Sequence, residues 1–79
     1  MNIKEELLEI ISYQTAVTKH TITSSQSWKE AGIDSLDTLE VMLTVAEKFG
    51  VTIEEEDEEK LVNFNELLLY LEGKISDKY

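Results

Sequence analysis

The stretch Gly32-Ile33-Asp34-Ser35-Leu36-Asp37-Thr38-Leu39-Glu40-Val41-Met42-Leu43-Thr44-Val45-Ala46-Glu47-Lys48-Phe49-Gly50 decides the fold. Leu36, Leu39, Leu43 and Ala46 recur at helical spacing, widened by Met42 and Phe49, so a helix over 35–49 has one broad apolar face. Asp34 stands before it as the N-cap, able to accept hydrogen bonds from the free N–H groups of the first turn. Asp37 sits at the third helical position, facing the positive end of the helix dipole. Gly50 closes the helix, because glycine adopts without penalty the left-handed conformation that ends one. Leu36 and Leu39 are expected to face the core, which leaves the Ser35 hydroxyl pointing outward from the first turn.

The same periodicity appears on either side. Ile3, Leu7, Ile10 and Ile11 fall at i, i+4, i+7 and i+8, opposite Lys4, Glu5, Glu6 and Glu9, and predict a helix over about 2–14. Phe64, Leu67, Leu68, Leu71 and Ile75 repeat the pattern. Asn63-Phe64-Asn65-Glu66 reads as a capping box, with Asn63 as N-cap and Glu66 reaching back, and Gly73 as the stop of a helix over 64–73. A short helix is expected over 54–61, where six carboxylates stand together and apolar residues flank them only at the ends. No stretch alternates with period two for long enough to demand a strand. The expectation is an all-α four-helix bundle forming a single domain over 1–79. It has three longer helices, one short third helix, and a long Thr- and Ser-rich loop from about Thr15 to Ala31, anchored to the core by Ile22 and Trp28. Ile10, Leu39, Leu43, Phe49, Ile53, Leu61, Phe64, Leu67 and Leu71 are the expected lining of an interior loose enough to part for an apolar guest.

Composition narrows the function. The 79 residues carry 17 Asp and Glu against seven Lys and no Arg, a formal charge of −10. A chain so acidic repels nucleic acid, whose binding needs cations to displace phosphate counterions. It also lacks the basic face by which an amphipathic helix meets anionic lipid. No apolar run approaches the length of a membrane span, and MNIKEELLEI is not a signal peptide. The chain is therefore expected to be cytoplasmic and monomeric, with no nucleic-acid partner and no membrane insertion, and suited to basic protein surfaces. With no Cys and a single His, His20, it has neither a disulfide frame nor a thiolate zinc site. The acidic run lacks the spaced oxygen ligands and central glycine of a calcium loop, so no dedicated metal site is expected. Serine nucleophiles need a base and an oxyanion hole. His20 lies 15 residues before Ser35, in the predicted loop, and nothing suggests a catalytic cleft.

Ser35 is the residue that carries chemistry of another kind. A phosphate ester on its hydroxyl would meet unpaired backbone N–H groups and the positive end of the helix dipole. Asp34-Ser35-Leu36 alone is short, and a serine at the head of a helix is commonly only a cap. Beside it, Asp37, Glu40, Thr44 and Glu47 lie at i, i+3, i+7 and i+10 and form one acidic stripe. Most such stripes are solvated faces; next to a modified serine this one would steer the chain toward Lys and Arg patches.

Asp34-Ser35-Leu36-Asp37-Thr38-Leu39-Glu40-Val41-Met42 resembles the phosphopantetheine attachment site of acyl carrier proteins. The resemblance covers nearly the whole chain. Ala46-Glu47-Lys48-Phe49-Gly50-Val51-Thr52-Ile53 looks like the family's exit from its second helix, and Asp57-Glu58-Glu59-Lys60-Leu61 like its short third helix. The resemblance implies that Ser35, flanked by Asp34 and Leu36, receives 4′-phosphopantetheine from coenzyme A through a phosphopantetheinyl transferase. It implies a non-catalytic carrier whose arm holds acyl groups as thioesters for enzymes of fatty-acid or polyketide-type synthesis. Those acyl-processing enzymes would dock through basic patches on Asp37, Glu40 and Glu47, with Val41 adding an apolar contact. The thiol that the chain lacks would come from the arm. Three positions depart from the commonest fatty-acid carriers: Glu54 replaces a frequent proline, Lys48 a frequent carboxylate, and Trp28 a frequent phenylalanine. They leave room for a dedicated carrier of aminoacyl or other specialised cargo with the same chemistry at Ser35. An unmodified acidic interaction module is the reading from another class.

Overall fold

A computed structural model of the chain describes residues 2–78. Five helices follow one another: α1 (Ile3–Thr15), α2 (Lys19–Ser24), α3 (Ser35–Phe49), α4 (Glu55–Glu58) and α5 (Phe64–Lys78). No strand is present among the described residues. α1 packs against α2, α3 and α5, and α2 also packs against α5. The all-helical bundle expected from the sequence is what forms.

The caps explain most of the boundaries. Asn2 accepts hydrogen bonds from the Lys4 and Glu5 N–H groups and starts α1. Asp34 Oδ1 accepts from the Asp37 N–H at 2.8 Å and starts α3. Gly50, at φ +65°, ends α3 in the left-handed conformation, and the Val51 N–H then closes on the Ala46 carbonyl at 3.0 Å. Asn63 Oδ1 accepts from the Glu66 N–H at 2.9 Å, so half of the expected capping box is made. At the end of α1 the left-handed residue is Ala16, at φ +60°, where an L side chain is strained.

Three boundaries differ from expectation. The long loop contains α2, capped by the Thr18 hydroxyl, which accepts from the Thr21 N–H. Six residues cannot hold a helix alone, and Thr-rich sequence is a poor helix former. Its anchor is Ile22, 1% exposed; burying one isoleucine contributes about 1.5–3 kcal/mol. The short helix α4 spans only Glu55–Glu58 rather than 54–61 and buries none of its residues. Gly73 does not stop α5, which runs on to Lys78. A mid-helix glycine costs roughly 0.5–1 kcal/mol, and Ile75, half-buried, carries the apolar stripe past it.

The core draws on every helix but α4. Leu7 and Ile11 of α1, Ile22 of α2, and Phe64, Leu67 and Leu71 of α5 are all buried, as is Leu61 just before α5. Ile10, Phe49 and Ile53 pack against this centre from its edge. On α3 the buried residues are Val41, Met42 and Val45. This overturns the face assigned from the leucines: Leu36, Leu39 and Leu43 are 64%, 43% and 63% exposed. Val45 lies nine residues from Leu36, about two and a half turns, and so on the opposite side of the helix.

Trp28 ties the loop before α3 to the rest. Its indole Nε1–H donates to the Leu61 carbonyl at 2.6 Å and its backbone N–H to the Val62 carbonyl at 3.0 Å. Asn63 Nδ2 donates to the Gln26 carbonyl at 3.1 Å beside them. Ile22 and Trp28 are thus the loop's anchors, as expected. α4 is held differently, by the Tyr70 hydroxyl of α5 donating to Asp57 Oδ2 at 2.9 Å.

Candidate functional site

Ser35 is the first residue of α3 and is exposed. The Asp34 cap fixes its place. The Asp34 side chain takes the Asp37 N–H, and the Asp34 carbonyl takes both the N–H and the hydroxyl of Thr38, at 2.9 and 2.8 Å. The first turn is therefore pinned while its leading edge stays open. Within the described residues the N–H groups of Ser35 and Leu36 have no hydrogen-bond partner in the chain. These residues fit a phosphate-linked arm: an exposed hydroxyl to esterify, with two free N–H donors and the positive helix end beside it.

Ser35 also lines an open groove of about 890 Å³. One wall is α3, through Leu36, Leu39 and Met42. The other is the loop before α3 and the segment after α4, through Trp28, Ile33, Leu61 and Val62. The surface between them is apolar, with charge only from Lys29, Asp34, Glu58 and Glu59. Leu36 and Leu39 were expected inside the core; their exposure is explained by this groove, whose edge they form. The Ser35 hydroxyl does point outward, but not because those two leucines point inward. Of the residues expected to line a space for an apolar guest, Leu39 and Leu61 line this groove; Ile10, Phe49, Ile53, Phe64, Leu67 and Leu71 do not, and Leu43 lies exposed on α3.

The acidic stripe is only partly beside the serine. Asp37, Glu40 and Glu47 are all exposed, and Thr44 between them returns its hydroxyl to the Glu40 carbonyl at 3.0 Å. Asp37 and Glu40 fall within the first turns of α3. Glu47 lies twelve residues from Ser35, roughly 18 Å along the axis at 1.5 Å per residue. Val41, expected to offer partners an apolar contact, is 2% exposed and belongs to the core. Its place on the surface is taken by Leu36 and Leu43, which run beside the acidic residues. The sequence carries the signal for this, since α3 has apolar residues on two sides, but spacing alone does not say which side is inner. Lys29, the one cation on the groove, was not foreseen, because a lysine in a polar loop has no pattern to mark it.

The remaining polar features build no second centre. His20 is exposed on α2. Among the described residues no group of three or more His, Cys, Asp or Glu could hold a metal ion. No helix there is long and apolar enough to cross a membrane.

Comparison with known proteins meets this geometry from another direction. The family described as "Phosphopantetheine attachment site" matches residues 5–71, a span that includes Ser35 and both walls of the groove. The chain is 36% identical over 73 residues to an acyl carrier protein of Helicobacter pylori (strain G27), covering 91% of this chain and 94% of that protein. It is 34% identical over 77 residues to an acyl carrier protein of Exiguobacterium sp., covering 91% and 98%. To a mitochondrial acyl carrier protein of Dictyostelium discoideum it is 32% identical over 69 residues, 87% of this chain but only 58% of that longer protein. Fold, cofactor class and sequence agree, and the chain belongs to the acyl carrier protein family, with a domain for phosphopantetheine attachment.

Proposed function

We propose that Ser35 is the attachment residue and that the chain shuttles acyl groups between the enzymes of a fatty-acid or polyketide-type synthesis. The observation that carries this reading is the exposed Ser35 hydroxyl at the capped head of α3, opening onto an apolar groove. When bound, the arm supplies the terminal thiol that holds an acyl group as a thioester. The chain's own residues do the rest. Asp34 fixes the first turn so that the hydroxyl is presented at a rigid point. The Ser35 and Leu36 N–H groups face the ester phosphate, and Leu39, Met42 and Leu61 give the cargo an apolar wall. In this reading the chain carries and does not catalyse.

Asp37 and Glu40 meet basic patches on the transferase and on acyl-processing enzymes, with Leu36 and Leu43 as the apolar part of the same surface and Glu47 at its far end. Exposed carboxylates of this kind raise association rates more than they add affinity. The apolar groove favours an acyl cargo over an aminoacyl one, whose ammonium group would lose hydration there. The reading keeps the cytoplasmic location expected from the sequence. Incubating the protein with a phosphopantetheinyl transferase and coenzyme A tests it. Intact mass should rise by one phosphopantetheine in the wild type and stay unchanged in Ser35→Ala; equal modification of both would remove Ser35 from its role.

A further inference from the structure

We propose that Trp28 sets the upper size of cargo that the groove accepts, by holding together the two segments that form the wall facing α3. The inference rests on the reading of Ser35 as the attachment residue and adds a limit to it. Trp28, Leu61 and Val62 all line the groove. Trp28 is also bonded to the other two, through its indole N–H to the Leu61 carbonyl at 2.6 Å and its backbone N–H to the Val62 carbonyl at 3.0 Å. Each bond resists the parting of the loop before α3 from the segment after α4, and losing the indole bond leaves the backbone bond to resist alone. The indole is itself buried, at 9% exposure, so its N–H has no water to turn to if the bond is lost.

The acidic part of the lining is built otherwise. Glu58 and Glu59 stand there, on and just after α4, a helix that buries no residue and has no side-chain cap. Its tie to α5 is the Tyr70–Asp57 hydrogen bond, at a partly exposed site. The groove thus has one yielding part, around Glu58 and Glu59, and one fixed part, around Trp28. The fixed part decides how much chain fits. A phenylalanine at 28 would fill much of the same apolar space but would donate nothing to the Leu61 carbonyl. That carbonyl would then be satisfied best by water in a wider groove, so the limit would move outward.

The test uses the full chain loaded at Ser35 by a transferase with straight-chain acyl-coenzyme A thioesters from butyryl to palmitoyl, as wild type and as Trp28→Phe. Mass spectrometry first establishes loading; failure to load would overturn the Ser35 reading and this limit with it. In the loaded wild type, the melting temperature rises with each added carbon and then levels off, whereas Trp28→Phe levels off at a longer chain. At the first chain beyond the wild-type limit, hydroxylamine cleaves the thioester roughly two- to tenfold more slowly in Trp28→Phe, the span one net hydrogen bond makes in an equilibrium. A second measurement needs no variant. Trp28 is the only tryptophan, so its emission in the wild type reports directly on the groove, changing with chain length up to the same limit and no further. Identical limits in loaded wild type and Trp28→Phe, or emission indifferent to every chain, would overturn the role of Trp28 while leaving Ser35 as the attachment residue.

Discussion

At the scale of single residues, the account rests on what a few side chains do to the backbone next to them. Asp34, Asn63 and Gly50 were legible in the sequence because capping is local chemistry: a short acceptor or a glycine beside a periodic run leaves little choice. Ala16 was not legible, since nothing in an alanine announces a left-handed conformation. Its φ of +60° puts its Cβ against the following carbonyl, at the exposed end of α1. Glycine there would relieve that crowding, offset in part by the greater freedom it gives the unfolded chain. Relief of about 1–2 kcal/mol of strain less about 0.4–1 kcal/mol of chain entropy leaves Ala16→Gly more stable by roughly 0.5–1 kcal/mol, read as a raised urea midpoint with an unchanged slope. An unchanged or lowered midpoint would mean that the conformation carries no strain.

At the scale of elements, α3 is the most instructive. It has two apolar faces, Val41, Met42 and Val45 inward and Leu36, Leu39 and Leu43 outward. Helical spacing picks out the leucines as one apolar face, widened by Met42, but spacing does not say which apolar face turns inward. An exposed apolar face marks a surface for a ligand or a partner rather than the core, and spacing does not distinguish the two. α2 was missed for the opposite reason: its Thr-rich sequence is not helical by propensity, and one buried isoleucine holds it in place. The outward face of α3 makes a prediction of its own. Asp37→Lys with Glu40→Lys leaves the core untouched, because both residues are exposed. Circular dichroism should be unchanged. Reversing two charges at a docking surface should slow association with the phosphopantetheinyl transferase by at least about tenfold at low salt, and the deficit should shrink as salt screens the surface. Equal association rates at low salt would reduce the stripe to a solvated face.

For the molecule as a whole, the excess of ten negative charges sets the terms of stability. Among the described residues the ion pairs are Lys19 with Glu9, both exposed, and exposed Lys60 with half-buried Asp57 at 4.0 Å, and such pairs contribute little. The net electrostatic effect on the fold is then self-repulsion. Adding salt up to about 0.15 M shortens the Debye length to about 8 Å, and the melting temperature should rise with it. A gain of about 1 kcal/mol corresponds to roughly 4–8 °C for a domain of this size; a fall would show that attractive pairs dominate. In the proposed reading the same charge draws the molecule to basic enzyme surfaces. In that reading the function rests on one hydroxyl, that of Ser35. The most direct test is to treat the wild-type protein with transferase and coenzyme A, digest it, and locate the added phosphopantetheine by fragmentation. The account predicts that it lies on Ser35 and on no other serine; a modified peptide that excludes Ser35, or no modified peptide at all, would contradict it.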